Sequence, residues 1–219
     1  MSTSGLSRTQ GSAMESRVTG IDGQVGPSSR RRLKLAISLA IIVGLAGYFI
    51  WEATLYVPPE KDAGTSLPGK FVPAQDSGQI PIGTHYSNYS TNPPTSGPYW
   101  APGTNTLPSG LAISVPPHWG IYNQPLPTEA LVGSMQHGGV VIWYNEQAGC
   151  DAMCINALDL LVKPMVQDQH HLILVPKTDM PHAVAVTSWT RMLTMDHVDD
   201  TSILAFIKAH EGRYNPEHV

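Results

Sequence analysis

The chain has 219 residues, with 13 Lys and Arg, 17 Asp and Glu, nine His, 20 Gly and 19 Pro, and a formal net charge of −4. The charge is unevenly spread: residues 52 to 219 hold seven basic and 15 acidic side chains, 7 − 15 = −8 with His neutral, while the other six basic residues lie at or before Lys34. So acidic a C-terminal part argues against a nucleic acid or an anionic membrane surface as its partner.

Residues 1 to 32 are rich in Ser, Gly, Arg and Thr, with too few large apolar side chains to offset chain entropy, and read as a disordered cytoplasmic tail. Arg30, Arg31, Arg32 and Lys34 then border an uncharged apolar run from Leu35 to Trp51. That run approaches the shortest helix able to cross a hydrocarbon core of roughly 30 Å, and Tyr48 and Trp51 fall where an interfacial aromatic belt would lie. We expect a transmembrane helix over 33–51, with the lipid bilayer as its partner. The basic excess before it and Glu52 after it keep the N-terminus in the cytoplasm and put the C-terminal part outside. A cleaved signal peptide is the alternative; the long leader and the lack of a small-x-small cleavage site speak against it. Residues 52–78, with Pro, Gly, Lys, Asp and Ser and no apolar period, read as a linker.

Residues 79–219 have the length of one domain with a single core. Proline crowds the segment from Gln79 to Thr128, which predicts turns and extended chain, and long ordered loops of this kind are usually functional. The second half is more regular. Strands are expected at Gly139–Tyr144, Leu172–Val175 and Ala183–Trp189, and helices at Cys154–Asp168, with Pro164 near its end, and at Thr201–Glu211. The predicted fold class is α+β: a single compact domain with a small sheet, two helices and long Pro-rich loops, preceded by one transmembrane helix.

Cys150 and Cys154 are spaced by four, which suits a relaxed disulfide only if Cys150 lies in the loop before the helix. A disulfide is the first reading; a soft-metal or redox pair and two free thiols stay open, and no Cys-x-x-Cys spacing is present. The histidines form no His-x-x-x-His or His-Glu-x-x-His signature. His137 is the best candidate ligand, since Gly138 and Gly139 after it allow a sharp turn at the mouth of a strand; a histidine bonded to loop carbonyls is the plainer alternative. His170, His171, His197, His210 and His218 are expected to be exposed. Ser96, in Pro93-Pro94-Thr95-Ser96-Gly97-Pro98, could be drawn as a nucleophile near His137, but its prolines and glycine more naturally make a rigid turn. No nucleophile elbow, phosphate-binding loop or dinucleotide fingerprint occurs.

Asn92 to Pro98 after His85-Tyr86, then Trp119-Gly120-Ile121-Tyr122, then Gln136-His137-Gly138-Gly139-Val140-Val141-Ile142-Trp143-Tyr144, together resemble the domain of unknown function 3105 family over roughly residues 80 to 217. Val175-Pro176, Ser188-Trp189-Thr190-Arg191 and Phe206-Ile207 add to the match. The resemblance implies an anchored extracytoplasmic bacterial domain and no established activity. Members typically show Pro-Pro-Thr-Ser-Gly-Pro-His and His-x-x-Glu-His-Gly, which looks like a metal site; the corresponding positions here are Tyr99, Gly133, Gln136 and His137. Three readings are open. One is a binding module holding a metal ion, copper or zinc, through His85, His137 and Met135, with His118 or Tyr99 as further donors. Another is an accessory subunit that keeps a degenerate site as scaffold and docks on a larger membrane protein complex. A hydrolase has the least support. The balance falls on an anchored accessory or binding protein without catalysis.

Overall fold

A computed structural model describes residues 27–55 and 63–214, and within the first helix the side chains of Arg32 and of residues 34–48. The tail up to residue 26, the linker positions 56–62 and the segment 215–219, with His218, lie outside the described residues. Two compact units divide at Ile50 and Trp51.

The first unit carries helix α1, Pro27–Leu55, a 29-residue helix entered through the Arg30 to Arg32 cluster. Leu35, Ile37, Leu39, Ile41, Ile42, Val43 and Leu45 are all exposed, so between residues 35 and 45 apolar side chains lie on every side of the helix. Among the described residues no helix is long and apolar enough to cross a membrane; the side chains described reach from 34 to 48, fewer positions than the expected span 33–51.

The second unit is an α+β domain on a six-stranded mixed sheet. Its strands are β1 (Lys70–Phe71), β6 (Gly120–Ile121), β7 (Val140–Tyr144), β8 (Leu172–Pro176), β9 (Val184–Ser188) and β10 (Arg191–Met195), in the order β1-β10-β9-β7-β8-β6. Strands β6, β8 and β7 run parallel, while β9, β10 and β1 alternate antiparallel from β7 outward. All five residues of β7, β8 and β9 are buried, as their near-continuous Val, Ile and Leu runs require of strands covered on both faces. Helices α3 (Ala152–Gln167) and α4 (Asp200–His210) cover one face, packing Leu158, Val162, Ile203, Phe206 and Ile207 on Val140, Ile142, Leu172, Leu174 and Val186. The opposite face, with Val141, Trp143, Ile173, Val175 and Ala185, is covered by helix α2 (Thr128–Gln136) and the Pro-rich segment. Within that segment lie two small pairs, β2 (Gln79–Ile80) with β3 (Tyr99–Trp100), and β4 (Gly103–Thr106) with β5 (Ala112–Val115).

The three expected strands correspond to β7, β8 and β9, and the two expected helices to α3 and α4, each within two residues at either end. Pro164 sits inside α3, whose last turn continues to Gln167. Four things differ. The sheet has six strands, and the domain has a third helix, α2, at the boundary of the Pro-rich region. The segment read as a linker also enters the fold: β1 pairs with β10, Val72 is buried, and Arg191, 2% exposed, donates to the Gly69 carbonyl and to Thr65 Oγ1, both at 3.2 Å. His210, expected to be exposed, is 1% exposed; its Nε2 lies 2.7 Å from the Pro68 carbonyl and its ring sits 4.5 Å from that of Phe206.

Candidate functional site

Helix α2 organises a polar cleft. Glu129, in its first turn, is 3% exposed, and its Oε1 accepts from the Tyr86 N–H at 2.7 Å and from His85 Nδ1 at 3.0 Å. Both donors satisfy this buried side chain, which would otherwise be costly to take out of water. The His85 ring, 82% exposed, is held from below and presented to solvent. Tyr86 and Tyr89 meet edge to face at 4.8 Å, and the Tyr89 hydroxyl donates to the Pro98 carbonyl at 2.7 Å. Burial, then the charge of Glu129, then Tyr86 push the Tyr89 phenol well above its ordinary range, so it stays a donor.

Across the cleft, Lys177 pairs with Asp179 at 2.8 Å and lies over the Trp143 ring, while Asn92 Nδ2 donates to the Asp179 carbonyl at 2.7 Å. The walls, from His85 to Ser87 and Tyr89 to Asn92 with Pro94, Thr128, Lys177 and Asp179, line about 470 Å³. The hydroxyl of Thr91 is buried here, with no hydrogen-bond partner among the described residues. A second cavity of about 580 Å³ lies between Ile121, Tyr122, Tyr144 and the Ala152–Asp159 face of α3.

Pro93 to Pro98 forms the wall behind this cleft. Thr95 and Ser96 are each 1% exposed; the Thr95 carbonyl accepts from the Thr190 N–H, and Ser96 Oγ accepts from the Gln75 N–H, both at 3.0 Å. The Gln75 side chain accepts from the Ser90 N–H and donates to the Asn88 carbonyl, tying the wall to the His85 loop. Gly97 has φ 121°, and a Cβ there would lie 3.0 Å from the Tyr89 ring. Ser96 is therefore a buried fastening of this turn, which removes the support for a Ser96 nucleophile.

The three candidate metal donors are set apart. His85 is tied to the first turn of α2, whereas His137 caps its C-terminal end, eight residues on and roughly 12 Å along the axis. Met135 is fully buried in the core beside Leu131 and Val132. Gly138 and Gly139 serve α2 and its packing instead of opening a cleft: Gly138 has φ 80°, and a Cβ on Gly139 would come within 2.5 Å of the Trp119 ring. His118 is exposed and Tyr99 is buried in β3 against Gly133, where a Cβ would meet Tyr99 Cδ2 at 3.5 Å. Among the described residues no group of three or more His, Cys, Asp or Glu side chains is arranged to hold a metal ion. Cys150 lies in the loop before α3 and is bonded to Cys154, with their Cα atoms 5.1 Å apart.

Sequence reasoning missed Glu129 as the organising carboxylate. Its position one residue into a Thr-Glu-Ala-Leu-Val helix start, after Pro127, was the one signal for it. The two partners it holds lie 43 and 44 residues away.

The arrangement is a mixed α+β domain with a walled polar cleft. A family of proteins of unknown function, DUF3105, matches residues 84–219, and the chain belongs to that family. No curated protein and no solved structure matches it.

Proposed function

We propose that this protein is a membrane-anchored, extracytoplasmic accessory or binding domain, whose cleft around His85 engages a segment of a membrane protein complex without catalysing a reaction there. The cleft carries the reading. It combines an exposed imidazole held by a buried carboxylate, two tyrosines, an Asn and a Lys–Asp pair, groups suited to hydrogen bonding with a polar peptide segment. Supporting the anchor are the exposed apolar side chains all round α1, which nothing in a water-soluble helix explains, and the basic cluster at its start.

The test has two arms. A reporter fused after Val219 is expected to be active only outside the cytoplasm, and activity of a cytoplasm-only reporter would reject the anchor orientation. In native membranes, a photocrosslinking residue at exposed Ser87 should give a discrete adduct with a membrane protein, which the same residue at exposed Leu160 on α3 does not. Equal labelling from both positions would reject the cleft as the binding site.

A further inference from the structure

The strand–helix–strand unit β7–α3–β8 joins two parallel neighbours, and the hairpin β9–β10 followed by α4 extends the same sheet on the other side of β7. Strand β7 is thus the point where the sheet order turns back, with β8 parallel on one flank and β9 antiparallel on the other. In open α/β sheets, ligands gather beyond the carboxyl ends of the parallel strands. Just past Tyr144, at that end of β7, the chain carries the Cys150–Cys154 pair into the first turn of α3. Gly149, at φ 108°, turns the chain out of a short 3-10 segment, Glu146–Ala148, into Cys150, whose N–H donates to the Asn145 carbonyl at 3.0 Å.

The two sulfurs are not equivalent. Cys150 is wholly buried with Val140, Tyr144, Ala183 and Val184, whereas Cys154, at the third position of α3, is partly exposed beside exposed Asp151, Ala152 and Met153. A cysteine pair beside a βαβ unit is the setting of thioredoxin-type redox chemistry, where one thiol attacks and the other resolves; here one more residue separates the two. We infer that Cys150–Cys154 is a thiol–disulfide exchange centre, with Cys154 as the attacking sulfur and a protein dithiol or disulfide as its substrate.

Reduction of the pair begins when a thiolate of the substrate dithiol attacks Cys154 Sγ; the Cys150–Cys154 bond breaks, and its electron pair passes to Cys150 Sγ, which takes up a proton in its apolar surroundings. The second thiol of the substrate then attacks the substrate sulfur of the mixed disulfide and releases Cys154 as a thiolate. Two electrons have moved to the pair, and the substrate leaves as a disulfide. Run backwards, the Cys154 thiolate attacks a substrate disulfide and Cys150 resolves the adduct. The positive end of α3 stabilises the Cys154 thiolate, and the Asp151 carboxylate, which caps the same turn by accepting from the Met153 and Cys154 N–H groups at 3.0 Å, opposes it. Other charged groups at this end of the sheet are Glu146 and Asp159, both near enough to raise the Tyr144 phenol, the His182–Asp196 pair, and Lys177 with Asp179.

The experiment uses the full chain in detergent. Reduced with dithiothreitol, it should speed reduction of the insulin disulfides by about tenfold over dithiothreitol alone, with Cys154→Ser removing the effect and Cys150→Ser accumulating a mixed disulfide. Asp151→Asn keeps a capping oxygen and removes the charge, so at neutral pH iodoacetamide should alkylate the reduced Cys154 about three- to tenfold faster. A pair that resists dithiothreitol until denaturant unfolds the domain, or a wild type no faster than Cys154→Ser, would overturn the exchange centre. A reduced wild type in which iodoacetamide alkylates Cys150 before Cys154 would overturn Cys154 as the attacking sulfur, a readout that stands even if the serine variants fail to fold.

Discussion

At the scale of single residues, Gly97 is where backbone and packing demands coincide. Its φ of 121° is a conformation that L side chains rarely adopt, and the Tyr89 ring occupies the space a Cβ would need. Tyr89 in turn donates to the Pro98 carbonyl and packs on Tyr86, whose N–H is held by Glu129. A side chain at 97 therefore displaces the cleft wall as well as straining its own backbone. Gly97→Val should lower the unfolding free energy in urea by about 1–3 kcal/mol. A midpoint unchanged from wild type would show that the turn relaxes freely and does not brace Tyr89.

Among the elements, α4 depends on its cap. Asp199 accepts from the Thr201 and Ser202 N–H groups and from the Ser202 hydroxyl, at 3.1, 3.2 and 2.6 Å. The Ser202 hydroxyl first, then the Ser202 and Thr201 N–H groups and the charge of His197, hold the Asp199 carboxyl below its ordinary value of 3.8. Because the folded pKa is the lower one, the cap's contribution is complete above the unfolded value and is lost as pH falls through the folded one. Asp199→Asn keeps a capping oxygen but does not titrate there. Its melting temperature should therefore fall less steeply below pH 3.8 than that of wild type. Parallel acid limbs for the two proteins would show that the cap is not linked to folding. The elements also differ in how legible they were. Strands β7, β8 and β9 announce themselves as apolar runs, and α3 and α4 as apolar positions at helical spacing. Helix α2 hides, because its residues from Glu129 to Gln136 are all buried and so show no polar face, and Gly133 lowers its helix propensity further. Strand β10 alternates Arg, Met, Leu, Thr and Met with all but Arg191 only half buried, and β1 is two residues long; neither offers a period to read.

For the whole molecule, chemistry was harder to read than fold, because the cleft is assembled from positions far apart in the chain. His85 meets Glu129, Gln75 fastens Ser96, and Asn92 reaches the Asp179 carbonyl 87 residues on. Spacing rules find sites whose members share one element, and none of these pairs does. The same blindness affected the domain boundary. A Pro- and Gly-rich stretch reads as a spacer, yet Gly69 is required where it is: it has φ 80°, and a Cβ there would sit 2.6 Å from the Phe206 ring. From this stretch come an edge strand for the sheet, the buried Val72 and two acceptors for the buried guanidinium of Arg191. Loss of hydrogen bonds to a buried charge is costly, since water cannot replace them without opening the core. Comparing a chain that begins at residue 63 with one that begins at residue 77 isolates this contribution. The shorter chain should be less stable in urea by at least about 3 kcal/mol, from the acceptors withdrawn from Arg191 together with the exposure of apolar surface around Val72. Equal stability of the two chains would mean that the segment rests on the domain without supporting it and works only as the spacer its composition suggests.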